Sequence, residues 1–331
     1  MKKKPDNCSN IHFKEILAGS AVTFVLKISG LLLGYAVMLI ISRQHGAEGI
    51  GIYNLSLSVL TFVSIVAMMG TNSSILRYAG QFNHKDSLHK LKLLYKHTLE
   101  IVIPFSILLG MVFFFRSEWI AKDVFQNQNY TLALQLIAFM LPFFALLQIS
   151  VEFIRGLKQL KISEYLRSVN RPLFNLVLLS IGGLYITHIM LPLYTLSISI
   201  IAGSLLGFYF IIRHLSQITA PVKKDFSKKE LIHTSLPMMI TAIASFVINN
   251  VSLLFLEIYA TTEEVGIFSV AFKVSILISI VLMIVNTIAA PKFSELFWSN
   301  RQDELQKVID FSSRLIFGSA LFLAVIIIVF K

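Results

Sequence analysis

The chain alternates between long apolar runs and short polar segments. A helix that crosses a membrane needs about 17–25 predominantly apolar residues, and nine runs are long enough. We predict these spans at residues 17–41, 50–72, 98–115, 131–151, 172–189, 192–212, 234–257, 265–289 and 312–330. The pattern therefore predicts an all-α integral membrane protein.

One part of this pattern recurs. The segment EGIGIY at residues 48–53 returns 215 residues later as EEVGIF at residues 263–268. Each copy joins an apolar helix to a second one through a short loop, which indicates duplication. The copies begin at spans one and seven, so both cross the membrane in the same direction. This favours a parallel-repeat, two-bundle transporter with its path between the halves.

The repeat divides the chain unequally. Residues 1–212 would form a six-helix N-terminal bundle, and residues 213–331 a partial second bundle of three helices. Two complete bundles of six helices each would need twelve spans. The chain is therefore expected to lack spans ten to twelve, as a C-terminally truncated product would.

Composition and charge support the membrane assignment. The chain is 56% hydrophobic and 14% charged, with a mean hydropathy of +0.75, outside the range of soluble domains. Its net charge of +11 does not indicate nucleic acid, because 23 of the 29 Lys and Arg residues lie in the N-terminal segment and alternate loops. This alternation predicts a cytoplasmic N-terminus and membrane lipids as partners. The loop after span four is assigned Arg155, Lys158, Lys161, Arg167 and Arg171.

Motifs for catalysis or cofactor binding are missing from the sequence. There is no Gly-rich phosphate loop, no metal-ligand cluster and no nucleophile–base pair. The single cysteine, Cys8, has no partner for a disulfide or a metal site. We therefore expect no cofactor, and a protein that is not an enzyme.

Two of the cytoplasmic segments have apolar residues at helical spacing among charges. We expect them to lie as helices on the inner leaflet, with a solvated hairpin as the alternative. The first segment carries Leu88, Leu91, Leu94 and Tyr95, and the second carries Phe293, Leu296, Phe297, Leu305, Val308 and Ile309.

Span one carries a lysine near mid-depth, Lys27. A lysine at the centre of a membrane helix costs about 2.5–3.5 kcal/mol on insertion scales, so it requires an explanation. It shares one helical face with Ser20, Thr23, Gly30 and Gly34. This face predicts that Lys27 and Thr23 line a cavity and bind substrate. The alternative for the glycines is helix packing, as for Gly203-xxx-Gly207.

Span seven has an equivalent polar face. It consists of Thr241, Ser245, Asn249 and Ser252, and the 215-residue offset relates Ser245 to Gly30 and Asn249 to Gly34. We predict that Ser245 and Asn249 contact substrate. Lys273 in span eight is a second candidate cation, with snorkelling to the surface as the alternative. Because no carboxylate lies deep in a span, the sequence favours an anionic cargo over proton-coupled export of cations.

The segment ISRQHGAEGIGIYN at residues 41–54, together with the topology, resembles the opening of bacterial polysaccharide (O-antigen) flippases. Their superfamily also holds lipid II flippases and multidrug and toxic compound extruders. The resemblance implies that the chain moves an undecaprenyl-pyrophosphate-linked oligosaccharide across the bacterial inner membrane by alternating access, for lipopolysaccharide or another surface polysaccharide. It assigns Lys27 and Lys273 to the pyrophosphate or acidic sugars, and makes the polysaccharide assembly machinery a candidate partner.

Three other functions remain open at this point. A multidrug exporter of the same superfamily is disfavoured by the lack of deep carboxylates. A membrane glycan polymerase or ligase is disfavoured because the longest external segment, residues 116–130, is short and nearly neutral. An inactive remnant agrees with the expected truncation.

Overall fold

The structure is a computed structural model that describes residues 7–83, 88–128, 130–186, 188–218, 226–261, 263–272, 275 and 302–329. Every regular element in these ranges is helical. The helices are α1 (Asn7–Ala67), α2 (Thr71–Phe82), α3 (Leu88–Phe115), α4 (Ser117–Trp119), α5 (Tyr130–Gly156), α6 (Leu160–Glu164), α7 (Arg171–Gly182), α8 (Leu191–Ser216), α9 (Lys228–Tyr259) and α10 (Gln302–Val329). Residues 263–272 are also helical.

Five helices in the described ranges are long and apolar enough to cross a membrane. They are α1 from Val22 onward, α3, α5, α8 and the first part of α9, to Asn249. The all-α membrane fold expected from the sequence is confirmed.

Spans one and two, which form the first copy of the repeat, are not separated by the short loop that the sequence predicts. In place of a loop, α1 continues through Gly46, the one residue inside it with non-helical angles (φ 67°, ψ −162°). The second copy breaks at the corresponding position. There the backbone N–H of Thr261 donates to the Glu264 carboxylate at 2.8 Å, and the Glu264 N–H donates to the Thr261 hydroxyl at 3.3 Å, a capping box that starts the next helix. Residues 46 and 261 are separated by the repeat offset of 215.

The chain forms two compact units. One consists of residues Leu26–Ile267, and the other of Met1–Val25 together with Phe268–Lys331. The larger unit contains two apolar clusters, and α5 contributes to both of them. Its buried side chains Ile137 and Leu141 belong to the first cluster, and Phe153 belongs to the second. The proposed division between residues 212 and 213 stays a prediction.

The first amphipathic segment does not lie on a membrane surface, nor is it a solvated hairpin. Leu88 starts α3, and the side chains of Leu91 and Leu94 are fully buried, with Tyr95 3% exposed. Their apolar face packs into the second cluster with α2 and α5, so it has no need of lipid. In the second segment, residues 293–297 lie outside the described ranges, and Leu305, Val308 and Ile309 belong to the first turns of α10.

A long seam joins α9 to α2 and the end of α1. The hydroxyls of Ser74 and Ser235 lie 2.6 Å apart, and those of Tyr78 and Thr234 lie 2.9 Å apart. Gly70, at φ 75°, lets the backbones meet, because a Cβ there would overlap the carbonyl oxygen of Ser235. The rings of Phe62 and Phe246 continue the contact at 5.4 Å, so the helices run antiparallel.

Candidate functional site

The predicted polar face of α1 divides into open and packed positions. The side chain of Lys27 is exposed, and the Cβ position of Gly34 has no atom within 4 Å. Gly30, between them, is packed, because a Cβ there would overlap the backbone carbonyl of Ser168. In the described part of the chain, Lys27 forms no ion pair and the half-buried Thr23 hydroxyl has no hydrogen-bond partner. The face therefore combines a packing site with an open, positively charged one.

The predicted polar face of α9 is exposed. The side chains of Thr241, Ser245 and Asn249 are exposed, and the Asn249 amide donates to the Ser245 carbonyl oxygen at 2.7 Å. The structure thus joins Ser245 to Asn249, and among the described residues it shows no bond between either of them and Lys27. Lys273 lies outside the described residues.

The largest departure from the sequence analysis is at span five. Residues 160–171 were assigned to a cytoplasmic loop, but the helical path starts at Leu160 and continues through a π-helical turn (Tyr165–Asn170) into α7. This path of 23 residues is about 34 Å long. Arg167 and Arg171 are therefore helical residues and do not belong to a loop.

This longer helix brings polar residues against α1. Ser168 packs on Gly30, and Asn175 meets Tyr53, which follows the break in α1. The Thr195 hydroxyl donates to Asn175 Oδ1 at 2.7 Å, and Asn175 Nδ2 donates to the Tyr53 hydroxyl at 2.9 Å. All three side chains are buried. Buried polar groups in membrane proteins carry a cost, and such networks often mark functional positions.

A buried carboxylate lies on the same helix, which the sequence analysis missed. Glu164 is 8% exposed, and its carboxylate accepts a hydrogen bond from the Ser168 hydroxyl at 2.5 Å. The expectation that this stretch is a loop was wrong, because the helix begins earlier than hydropathy indicates. The buried carboxylate weakens the argument for an anionic cargo over a cationic one.

The glycine pair of α8 is a packing motif. A Cβ at Gly203 would overlap the amide nitrogen of Asn170, and one at Gly207 would lie 2.8 Å from the Ser150 Cβ. Asn170 and Ser150 are fully buried, and the side-chain amide of Asn170 has no partner among the described residues. Buried polar groups of this kind usually hold an ordered water. Their position next to a π-helical turn, a feature common at functional sites, was not recognisable from the sequence.

Comparison with solved structures identifies the fold. The MATE multidrug transporter DinF-BH, solved as a complex, matches with a TM-score of 0.60 and 14% identity, over 98% of this chain and 74% of that one. A MATE protein in the straight conformation matches with a TM-score of 0.53 and 15% identity, over 95% of this chain and 71% of that one. No curated protein matches the chain. At these identities the likeness shows the fold, that of a multi-pass membrane transporter.

The family follows from a sequence match. The model of the family described as "Polysaccharide biosynthesis protein" matches residues 16–297. Together with the MATE fold, this places the chain in the superfamily of multidrug, oligosaccharidyl-lipid and polysaccharide exporters, as a membrane exporter or flippase. The chain belongs to the polysaccharide biosynthesis protein family.

Proposed function

We propose that this protein is a flippase that moves an undecaprenyl-pyrophosphate-linked oligosaccharide, such as an O-antigen repeat unit, across the bacterial inner membrane. The N-terminus is cytoplasmic in this proposal, and transport proceeds by alternating access between two bundles. The observation that carries it is Lys27, an exposed and unpaired cation among the described residues of an apolar helix. A cation at this depth is costly unless it serves an anion, and the pyrophosphate supplies one.

The open position at Gly34 supports the same assignment. It lies two helical turns from Lys27 on the same face, where a cargo has room beside the helix. Thr23, Ser245 and Asn249 would offer hydrogen bonds to sugar hydroxyls, and Lys273 would add a second charge. Buried Glu164 removes the argument that an exporter of cations would need a deep carboxylate that this chain lacks. The choice of a glycan over a drug therefore rests on the family match.

Transport by the purified 331-residue chain tests this function. Proteoliposomes would be loaded with a lipid-linked oligosaccharide that carries a fluorophore, and quenching from outside would report the fraction that has crossed. We expect crossing to be faster than in protein-free vesicles. Crossing at the protein-free rate, combined with uptake of a cationic dye, would instead identify an exporter of cations.

A further inference from the structure

One histidine of α3 contacts the backbone at the start of α9. The side chain of His97 is 16% exposed. Its Nε2 atom lies 3.2 Å from the backbone carbonyl oxygen of Phe226, and its Nδ1 atom lies 3.4 Å from the Glu100 carboxylate. Phe226 comes two residues before the first residue of α9. The imidazole therefore bridges the start of that helix to a charge on α3.

Both partners of this imidazole accept hydrogen bonds and donate none. A carbonyl oxygen has no proton, and an ionised carboxylate has none either. Neutral imidazole has a single N–H, so it can donate to Phe226 or to Glu100 but not to both. The two bonds form together only when each ring nitrogen of His97 carries a proton, which makes the ring a cation. The charge of His97 thus determines whether the bridge is complete.

Glu100 also forms an ion pair that links the same two helices. Lys228, the first residue of α9, lies 2.8 Å from the carboxylate oxygen that His97 contacts. Lys96 of α3 lies 3.8 Å from the other oxygen. Lysine and glutamate both remain charged between pH 6 and 8. This pair therefore forms a constant link, to which the bridge through His97 adds a part that varies with pH.

The ring of Phe226 connects the bridge to the seam between α2 and α9. It is 4% exposed and packs edge-on against Tyr78 and Phe82 of α2, with centroid distances of 5.0 and 5.2 Å. The Tyr78 hydroxyl is in turn bonded to that of Thr234 on α9. A bond between His97 and Phe226 therefore adds α3 to this seam.

The charged and titratable groups next to these contacts lie on all three helices. They are Lys92, Lys96 and Glu100 on α3, Lys228, Lys229 and Glu230 on α9, and Arg77 and Tyr78 on α2. Lys92 donates to the carbonyl oxygen of Ile218 at 2.6 Å, and Asp225 lies outside the described residues. Among the described groups, Glu100 is the one that bonds to the His97 ring.

We propose that His97 is a pH-dependent clamp between α3 and the start of α9. Its charged form, which acid favours, makes both hydrogen bonds and holds the start of α9. Its neutral form makes one of them and holds that segment less firmly. Histidine is the side chain that ordinarily changes charge between about pH 5 and 8. The clamp does not depend on which cargo the protein moves, so a failure of the flippase proposal leaves it standing.

Hydrogen–deuterium exchange of the purified full chain in detergent tests the clamp. The readout is the first turn of α9, where the Leu231 N–H donates to the Ser227 carbonyl oxygen at 3.3 Å. Variants are compared at the same pH, so the chemical exchange rate cancels. His97→Gln keeps a donor for Phe226 but cannot become charged. It should speed exchange about two- to fivefold at pH 6 and leave it unchanged at pH 8.

His233→Gln is the matched control, because it removes an exposed histidine from α9, and it should leave exchange unchanged at both pH values. Unchanged exchange in His97→Gln at pH 6 would overturn the clamp. Equal acceleration at pH 6 and pH 8 would also overturn it, since the ring would then act through packing alone. In a Glu100→Gln background the effect of His97→Gln at pH 6 should shrink. An undiminished effect there would reject the bridge to the carboxylate, and the clamp with it.

Discussion

Gly266 lies with its backbone against the carbonyl oxygen of Ala47, so close that a Cβ atom at residue 266 would overlap that oxygen. The contact joins the two breaks of the repeat, since Ala47 follows Gly46 directly and Gly266 lies in the turn of helix after Thr261. We expect Gly266→Ala to lower the free energy of unfolding by about 1–3 kcal/mol, as overpacking does. The melting temperature in detergent would measure this loss. Gly318→Ala is the control, because its Cβ position is open, and an equal loss there would contradict the packing argument.

The repeat predicts a reciprocal contact. The offset of 215 relates Gly266 to Gly51 and Ala47 to residue 262, which lies outside the described residues. If the halves are related by a twofold axis along the membrane normal, Gly51→Ala should destabilise the protein as much as Gly266→Ala does. Thermal unfolding of the two variants side by side would measure this. A harmless Gly51→Ala would show that the two contacts are not equivalent.

The two glycines of α1 should respond differently to the same change. Gly30→Ala would push into the Ser168 carbonyl and destabilise the protein, whereas Gly34→Ala has free space and should be neutral or slightly stabilising. Gly34→Leu should then leave the melting temperature unchanged but slow transport, because the side chain fills the space proposed for the cargo. Normal transport by a stable Gly34→Leu variant would place the cargo elsewhere.

Lys27 should matter through its charge. Lys27→Arg should keep most transport activity, since either side chain presents positive charge to a phosphate. Lys27→Ala should lose transport while inserting normally, because removal of a cation from a span makes insertion easier. Lys27→Glu should be the most impaired, by repulsion of the anion. Surface glycan in a flippase-null strain is the measurement, with the exposed Lys122→Ala as control. Normal glycan with Lys27→Ala would reject the assignment.

The seam between α2 and α9 should open during alternating access. With Cys8 replaced by serine, Ser74→Cys and Ser235→Cys together would place two thiols where the hydroxyls are now 2.6 Å apart. Oxidation should stop transport, and a reductant should restore it. Each single cysteine variant serves as control. Full transport by the oxidised pair would show that this seam stays closed throughout the cycle.

The sequence predicted the elements that differ strongly in hydropathy from their surroundings. The break at Gly46 and its counterpart at Thr261 follow from the repeated segment. Lys27 is exposed, and its place in a substrate cavity stays a prediction. The start of span five could not be predicted this way, since Lys161, Glu164 and Arg167 lower the local hydropathy. Their charges are accommodated through contacts distant in sequence, such as the ion pair of Arg167 with Glu152.

The same limit applies to the first amphipathic segment and to the buried hydrogen-bond chain beside α1. Leu91 and Tyr95 have the spacing of a surface helix, and only their contacts with α2 and α5 show that they are buried. In the Tyr53–Asn175–Thr195 chain the bonded residues are 122 and 20 positions apart, so no local sequence pattern predicts it.

The backbone angles at the break in α1 distinguish between L- and D-amino acids at residue 46. Gly46 has open space at its Cβ position, so packing does not explain the glycine. Its angles, φ 67° and ψ −162°, belong to a region that is essentially closed to L-residues. Reflection of these angles gives φ −67° and ψ 162°, which L-residues adopt readily. Residue 46 is therefore a position where D-alanine fits the native backbone and L-alanine does not, although the two side chains are the same size.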